Sequence, residues 1–480
     1  MIPTQKDNLP FKNSILQKQV ILGLDIGTSG IRGCVVERVF DQKEMLEKIL
    51  FETHIAMPAA KPEFNEQSNT VEISQDPHVW INHLEKLLKN LEQNFNSQLI
   101  THLVVDATSS TVLLVDQKGN PCTRALMYND SQSSKPAQDI AQLITQSQEY
   151  SGAQGVSSTL AKVSTLLMKN PNLKQPIICH QIDFINHYLC GVLNITDENN
   201  ALKLGYNSVN QAWPNWVMPY LNGINSQVTL PLVVKPGDFL AKIMPSISKN
   251  FGFNKELTVM AGTTDSIAGF LASGAINTGD AVTSLGSTMV IKAISNEPIF
   301  DDKYGLYSHK LGAHWLVGGA SNTGGKVLLN EYDLKDLIYL IENTADSFIS
   351  KYLKEENANY YPLNEKGERF PISNPELSPS MPSRPNCKKT DIYHSDSCLK
   401  QHQYYVLKIL FGMTNIEKIA YQKLEEMGLP KIKRIFTVGG GTKNLAWMKL
   451  REFLIDASFT KSTHQQAAYG VTKLLEPIKQ

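Results

Sequence analysis

The sequence predicts a two-part α/β protein, and three observations carry that reading. A strand over residues 20–25, a glycine-and-hydroxyl turn over 27–30 and a strand over 31–36 form one unit. The same unit returns with strands over 281–285 and 289–293 joined by Gly286, Ser287 and Thr288. Helical periodicities fill the chain between and beyond, so a duplicated architecture with halves meeting near residues 250–258 is expected rather than a single sheet. The length of 480 residues agrees with two to four domains, at about 150 residues each.

Composition narrows the class. Hydrophobic residues make up 42%, charged residues 19%, with 30 glycines and 23 prolines, which excludes a disordered, collagen-like or mini-protein chain. Lys plus Arg and Asp plus Glu both number 46, so no net field draws nucleic acid or an anionic membrane. The six cysteines (34, 122, 179, 190, 387, 398) include no C-x-x-C pair and are expected to be reduced thiols. Residues 1–18 are polar, contain Asp7 and lack the apolar core of a secretion signal. No run approaches 18 apolar residues, so no membrane span and a cytoplasmic location are expected.

Along the chain, residues 103–106 read as a strand, 111–116 as a second run closed by a turn at 117–120, and 136–193 as mostly helical. Residues 259–262 read as a strand leading into a helix over 266–273 that ends at Gly274. Five prolines between 371 and 398 mark an irregular surface excursion. A long helix over 402–427, frayed near Gly412, then a strand over 434–438, a glycine loop and a helix over 445–455 complete the pattern.

The two glycine turns carry the first chemistry. At Gly27-Thr28-Ser29 the backbone N–H groups can face an anion at close range, with two hydroxyls as further donors. Asp25 at the strand end is what a Mg²⁺–phosphate complex needs, although Asp is also an ordinary turn former. Gly286-Ser287-Thr288 repeats the arrangement, and two such tips together form a clamp for a phosphate chain. Gly439, Gly440 and Gly441 would let a base or ribose lie on bare backbone, with the Asn444 amide beside it; a flexible connection is the plainer reading. Asp265 follows Gly-Thr-Thr at a helix start, where it serves as an N-cap or as a general base for a hydroxyl under phosphoryl attack.

Other signals fall away. Residues 320–327 approximate a Walker A loop, but Ala320 and Val327 stand where its first glycine and its hydroxyl belong. No G-x-G-x-x-G follows a strand. His309 and His314 lack a third ligand nearby and read as surface or packing residues, and Cys387 and Cys398 have no flanking ligand pattern.

The order of residues 25–30, 262–265, 284–288, 319–325 and 439–444 resembles the FGGY family of carbohydrate kinases, over about residues 19–476. The resemblance implies two ribonuclease-H-like domains of the actin, heat-shock chaperone and sugar-kinase superfamily, flanking a catalytic cleft. A polar tail over 1–18, a first domain over 19–256 and a second over 257–480 follow. It implies ATP and Mg²⁺ as cofactors, Asp25 as metal ligand, and Asp25, Gly27, Thr28 and Ser29 at the phosphates. Gly286, Ser287 and Thr288 would form the second phosphate turn, and Gly440, Gly441 and Asn444 would hold the adenosine. Asp265 would be the catalytic base.

Within the family, residues 106–114, 200–206, 261–266, 283–288 and 307–325 look most like the short, xylulokinase-like D-ribulose kinases of cyanobacteria and plants. There the position of Ser109 contacts the ketose with the base. Typical xylulokinases carry Gln-Met-His-Gly where this chain has residues 107–110. They carry Trp-Asn-Asp-x-Arg where it has Tyr128-Asn129-Asp130-Ser131-Gln132. The expected activity is therefore phosphorylation of a small ketose, D-ribulose first, at its terminal hydroxyl. The rivals are a kinase for D-xylulose, L-ribulose or glycerol, and a non-catalytic, chaperone-like ATPase.

Overall fold

The computed structural model describes residues 17–41, 44–65, 70–355 and 360–475; the polar tail expected at the start lies almost wholly outside them. Two six-stranded sheets organise the chain. In the first, Gln17–Ile26, Gly30–Asp41 and Glu44–Ala56 form an antiparallel meander, and His102–Ala107 then runs parallel to Gln17–Ile26. Thr258–Thr264 adds a further parallel strand, with Phe239–Lys242 antiparallel at the edge. In the second, Asp280–Leu285, Met289–Ser295 and His314–Ser321 form the meander, Arg434–Val438 and Ser458–Lys461 run parallel beside it, and Tyr307–Leu311 takes the far edge. Both sheets share one order, third strand, second, first, fourth, fifth. The duplication expected from the repeated turns is therefore a duplication of whole sheets. The first sheet draws Thr258–Thr264 from beyond residue 256, so the strand leading to Asp265 pairs with the amino-terminal half.

The central strands are covered on both faces, which is why Val20, Ile21, Leu22, Leu24 and Ile26 are all buried in one near-continuous apolar run. One face takes the helix His78–Asn94, whose Trp80, Leu84, Leu87, Leu88 and Leu91 recur at helical spacing. The other face takes Asp265–Ala272 and, from the far end of the chain, Ala467–Gly470. Close approach there requires glycine: a Cβ on Gly23 would lie 1.9 Å from the Ala468 carbonyl oxygen, and one on Gly470 1.8 Å from that of Ala268. The carboxyl-terminal segment thus closes on the first sheet and ties the two halves together. A five-stranded sheet (Pro62–Asn65, Thr70–Gln75, Val112–Val115, Ala125–Leu126, Ile177–His180) flanks the first, backed by Ser134–Ser147 and Thr159–Lys169.

Three expectations are corrected. The long helix spans Asp396–Glu426 without fraying at Gly412, where the helix passes against Pro362 and the Tyr360 carbonyl at a distance a Cβ would not permit. Thr264, not Asp265, occupies the N-cap position, and Asp265 is the first helical residue. Cys387 and Cys398 form a disulfide, while Cys34, Cys122, Cys179 and Cys190 are free thiols. The Pro-rich segment folds back so that Cys387 meets the first turn of the long helix, a return that no C-x-x-C spacing announces. Among the described residues no helix is long and apolar enough to cross a membrane.

Candidate active site

Parallel register assembles the first part of the site. Asp25 lies beside Asp106, and Asp106 beside Thr263, so the carboxyl ends of three strands bring Asp25, Asp106 and Asp265 to one edge of the sheet. Asp25, Gly27, Thr28, Ser29 and Asp265 line one cavity of about 300 Å³ together with Arg32, Thr108, Tyr128 and Ala467. Gly27 N–H donates to the Gly30 carbonyl at 3.1 Å, which pins the turn and leaves the Thr28 and Ser29 amides outside the ladder. Arg32 Nη1 donates to Asp25 at 3.0 Å. Burial still raises Asp25 above the ordinary carboxylate range, against the pull of Arg32.

Asp106 is fully buried, and neither of its oxygens has a hydrogen-bond donor while it is ionised. Burial, then the charges of Asp25 and Asp265, push it well above its ordinary value. A buried carboxylate without a partner beside a second carboxylate is a donor set that a hard divalent cation fits. Asp265 is half-buried, and burial followed by the Asp25 charge raises it to about 6, opposed by its helix-start N–H contact and by Lys292 and Lys203. Lys292 donates to the Ser266 carbonyl at 2.9 Å and is itself pushed down to about 8 by burial. His309 is buried with its Nδ1 unpartnered, and burial, then Lys292 and Lys203, hold it well below its ordinary pKa.

The loops beside the cavity are organised from below. The Lys162 ammonium, buried in the helix Thr159–Lys169, donates to the carbonyls of Ser110 (2.9 Å), Met127 (2.6 Å) and Tyr128 (3.0 Å). Burial lowers its pKa to about 7. Thr108 is fixed through its amide and hydroxyl, both donating to Gln181 Oε1, while the half-buried Ser109 keeps its hydroxyl without a partner. Asp130 accepts from the Ile73 amide at 2.8 Å and from Gln132 at 3.0 Å, and Gln132 in turn accepts from Lys169 at 2.6 Å. These two side chains are engaged with the scaffold.

In the second sheet Gly286 N–H donates to the Thr288 carbonyl at 3.2 Å, closing the turn. Gly325 and Lys326 amides donate to the Gly286 and Ser287 carbonyls at 2.9 and 3.3 Å, so the turn is braced by the start of the helix Gly325–Glu331. Gly439, at φ 91°, and Gly441 lie against Leu285 of the same hairpin, and Gly440 faces open space. Asn444 caps the helix Leu445–Leu454 through its side-chain oxygen, 3.0 Å from the Trp447 amide, which commits the oxygen and leaves the NH₂ group. Asn199 joins the halves: it exchanges two 3.1 Å hydrogen bonds with the backbone of Lys310 and donates to Thr263.

Sequence reasoning passed over Asp106, Arg32, Lys162, Lys203 and Lys292. Asp106 had a visible signal, a carboxylate ending an apolar buried strand just as Asp25 does. Lys162 had another, a lysine between Leu160, Val163 and Leu166 on the apolar side of its helix.

Two ribonuclease-H-like lobes, with carboxylates at the strand ends of one and braced glycine turns in the other, define the class that includes actin, heat-shock chaperones and sugar kinases. The model of the N-terminal domain of the FGGY family of carbohydrate kinases matches residues 20–272, just over half the chain, and the chain belongs to that family. It is 20% identical over 475 residues to a xylulose kinase of Staphylococcus epidermidis, covering 95% of this chain and 88% of that one. Its fold matches a xylulose kinase of Rhodospirillum rubrum at TM-score 0.71 and 18% identity, covering 95% and 89% of the two chains. It also matches a gluconate kinase of Lactobacillus acidophilus at 0.70 and 16%, covering 96% and 89%. The protein is an ATP-dependent sugar kinase that works with Mg²⁺.

Proposed function

We propose that the protein transfers the γ-phosphoryl group of ATP to the terminal (C5) hydroxyl of a ketopentose, D-ribulose giving D-ribulose 5-phosphate. The observation that carries the reading is the position of Asp265, a half-buried carboxylate lining one small cavity with Asp25 and the Thr28–Ser29 turn. Asp265, raised to about 6, is ionised at neutral pH and basic enough to take a proton from the attacking hydroxyl. Gly27, Thr28 and Ser29 on one side, and Gly286, Ser287 and Thr288 on the other, offer donors to the phosphates. Gly440, Gly441 and the Asn444 NH₂ group hold the adenosine. Asp25, with Asp106 beside it, would hold Mg²⁺, which offsets the charge that develops on the transferring group. Closure of the two lobes excludes water and limits idle hydrolysis of ATP.

The preference for D-ribulose rests on what the sugar side lacks. Ser109 offers one free hydroxyl, while Asp130 and Gln132 are spent on Ile73 and Lys169. D-ribulose and D-xylulose differ only at C3, and a buried polar group left unpaired costs about 1–3 kcal/mol, or roughly 10–100-fold in discrimination. D-xylulose is the second reading, favoured by the names of the relatives. Coupled ADP release with a panel of sugars decides: kcat/KM at least about tenfold higher for D-ribulose is expected. A preference for D-xylulose would overturn the choice of sugar, and no stimulation by any sugar would overturn the kinase assignment of the site.

A further inference from the structure

The disulfide lies outside the cavity but is linked to it. Cys398 sits in the first turn of the 31-residue helix Asp396–Glu426, its amide donating to the Ser395 cap at 3.3 Å. Cys387 is half-buried and flanked by exposed Asn386 and Lys388, whereas Cys398 is buried. His402, one turn along the helix, brings a ring nitrogen within 4.8 Å of both sulfurs. The helix amino terminus lies beside Cys398, and Lys388 and Lys389 directly follow Cys387.

The helix Gly325–Glu331 runs from the second glycine turn to this cluster. At its start, Gly325 and Lys326 brace the carbonyls of Gly286 and Ser287. At its end, the Glu331 carboxylate accepts from Arg384 at 2.9 Å and from Tyr405 at 3.0 Å, and its carbonyl accepts from Lys389. The next residue, Tyr332, shares a 2.7 Å hydrogen bond with His402 and carries the Lys389 ammonium over its ring. Arg384, Lys389, His402 and Tyr405 all lie on the two segments that the disulfide joins.

We propose that Cys387–Cys398 is a reversible redox pair that sets how firmly the second lobe grips the nucleotide, acting through the helix Gly325–Glu331. The link to the nucleotide rests on reading residues 286–288 as a phosphate turn. A dithiol reductant attacks the more accessible Cys387 sulfur, forming a mixed disulfide and releasing Cys398 as thiolate. Its second thiol then displaces Cys387. Two electrons and two protons pass to the pair, and the reductant leaves as its own disulfide. Reduction frees the Arg384–Lys389 side of the clamp, so the brace on Gly286 and Ser287 slackens and ATP is held less firmly.

The test compares the full-length protein after treatment with reduced or oxidised dithiothreitol, by thiol alkylation with peptide mass mapping and by ADP-release kinetics. In the oxidised protein Cys387 and Cys398 are expected to resist alkylation, and on reduction both react. Reduction should raise KM for ATP about threefold to tenfold with KM for the sugar unchanged, a size typical of coupling through packed networks. Cys387→Ser and Cys398→Ala should each hold the reduced value whatever the treatment. Alkylation of both cysteines after oxidation, or one KM for ATP in both forms, would overturn the proposal. Ser287→Glu separates the underlying reading, since a like charge on a phosphate turn must raise KM for ATP. Unchanged KM there would break the phosphate-turn reading, and the alkylation result stands apart from it.

Discussion

The two glycine tips have the same setting and different chemistry. Asp25 and Ser284 each stand two residues before the first glycine of the turn, on the first strand of their sheets. Across the parallel pair, Asp25 faces Asp106, whereas Ser284 faces Val438. The first lobe therefore places two carboxylates where the second places a hydroxyl and an aliphatic side chain. The second tip is instead braced from behind by Gly325 and Lys326 and packed from the side by Gly439 and Gly441. The repeated geometry thus carries two carboxylates at one tip and a backbone-braced turn without them at the other.

Making the first tip resemble the second is the harshest way to probe that contrast. Asp25→Ser should abolish Mg²⁺-dependent turnover, while Ser284→Ala should leave it nearly intact; equal losses in a coupled kinase assay would erase the distinction. The next effect is on pH. With Asp265 raised to about 6, kcat/KM should fall roughly tenfold per pH unit below that value as the base is protonated, and level off above it. A profile flat from pH 7 down to pH 5 would show that Asp265 is not the titrating base.

Lys162 sharpens the comparison from beneath the first lobe. Lys162→Met leaves the Ser110, Met127 and Tyr128 carbonyls without their donor, and should cost about 1–3 kcal/mol in denaturant unfolding and raise KM for the sugar. The wild-type amine, lowered from 10.5 to about 7, binds its proton less readily folded than unfolded. Its contribution to stability therefore rises as pH climbs from about 7 towards 10.5, and the methionine variant should lose that slope. Smallest is Ser109→Ala, expected to raise KM for the sugar severalfold and leave KM for ATP unchanged.

How much was legible in the sequence follows from range. Strands such as Arg434–Val438 and the two tips were readable because glycine, hydroxyl and apolar runs act within a few residues. The place of Asp265 at a strand-to-helix junction was readable because such a junction has a local signature. Asp106 acquires its meaning only when parallel register sets it beside Asp25, and Lys162 only when three carbonyls from distant loops converge on its amine. The disulfide depends on the fold-back of a Pro-rich segment, a tertiary event that spacing does not encode.

The central claim is a division of labour within one sheet edge: Asp25 serves the nucleotide, and Asp265 serves the sugar. ADP release measured with and without ketose, in Asp25→Ala and Asp265→Asn side by side, tests it most directly. Asp25→Ala should lose both the sugar-dependent and the sugar-independent reactions. Asp265→Asn keeps the shape of the side chain, and should lose sugar-dependent turnover by about 10²–10⁴-fold while retaining basal hydrolysis and its KM for ATP. Loss of both activities to the same degree in the two variants would contradict the account.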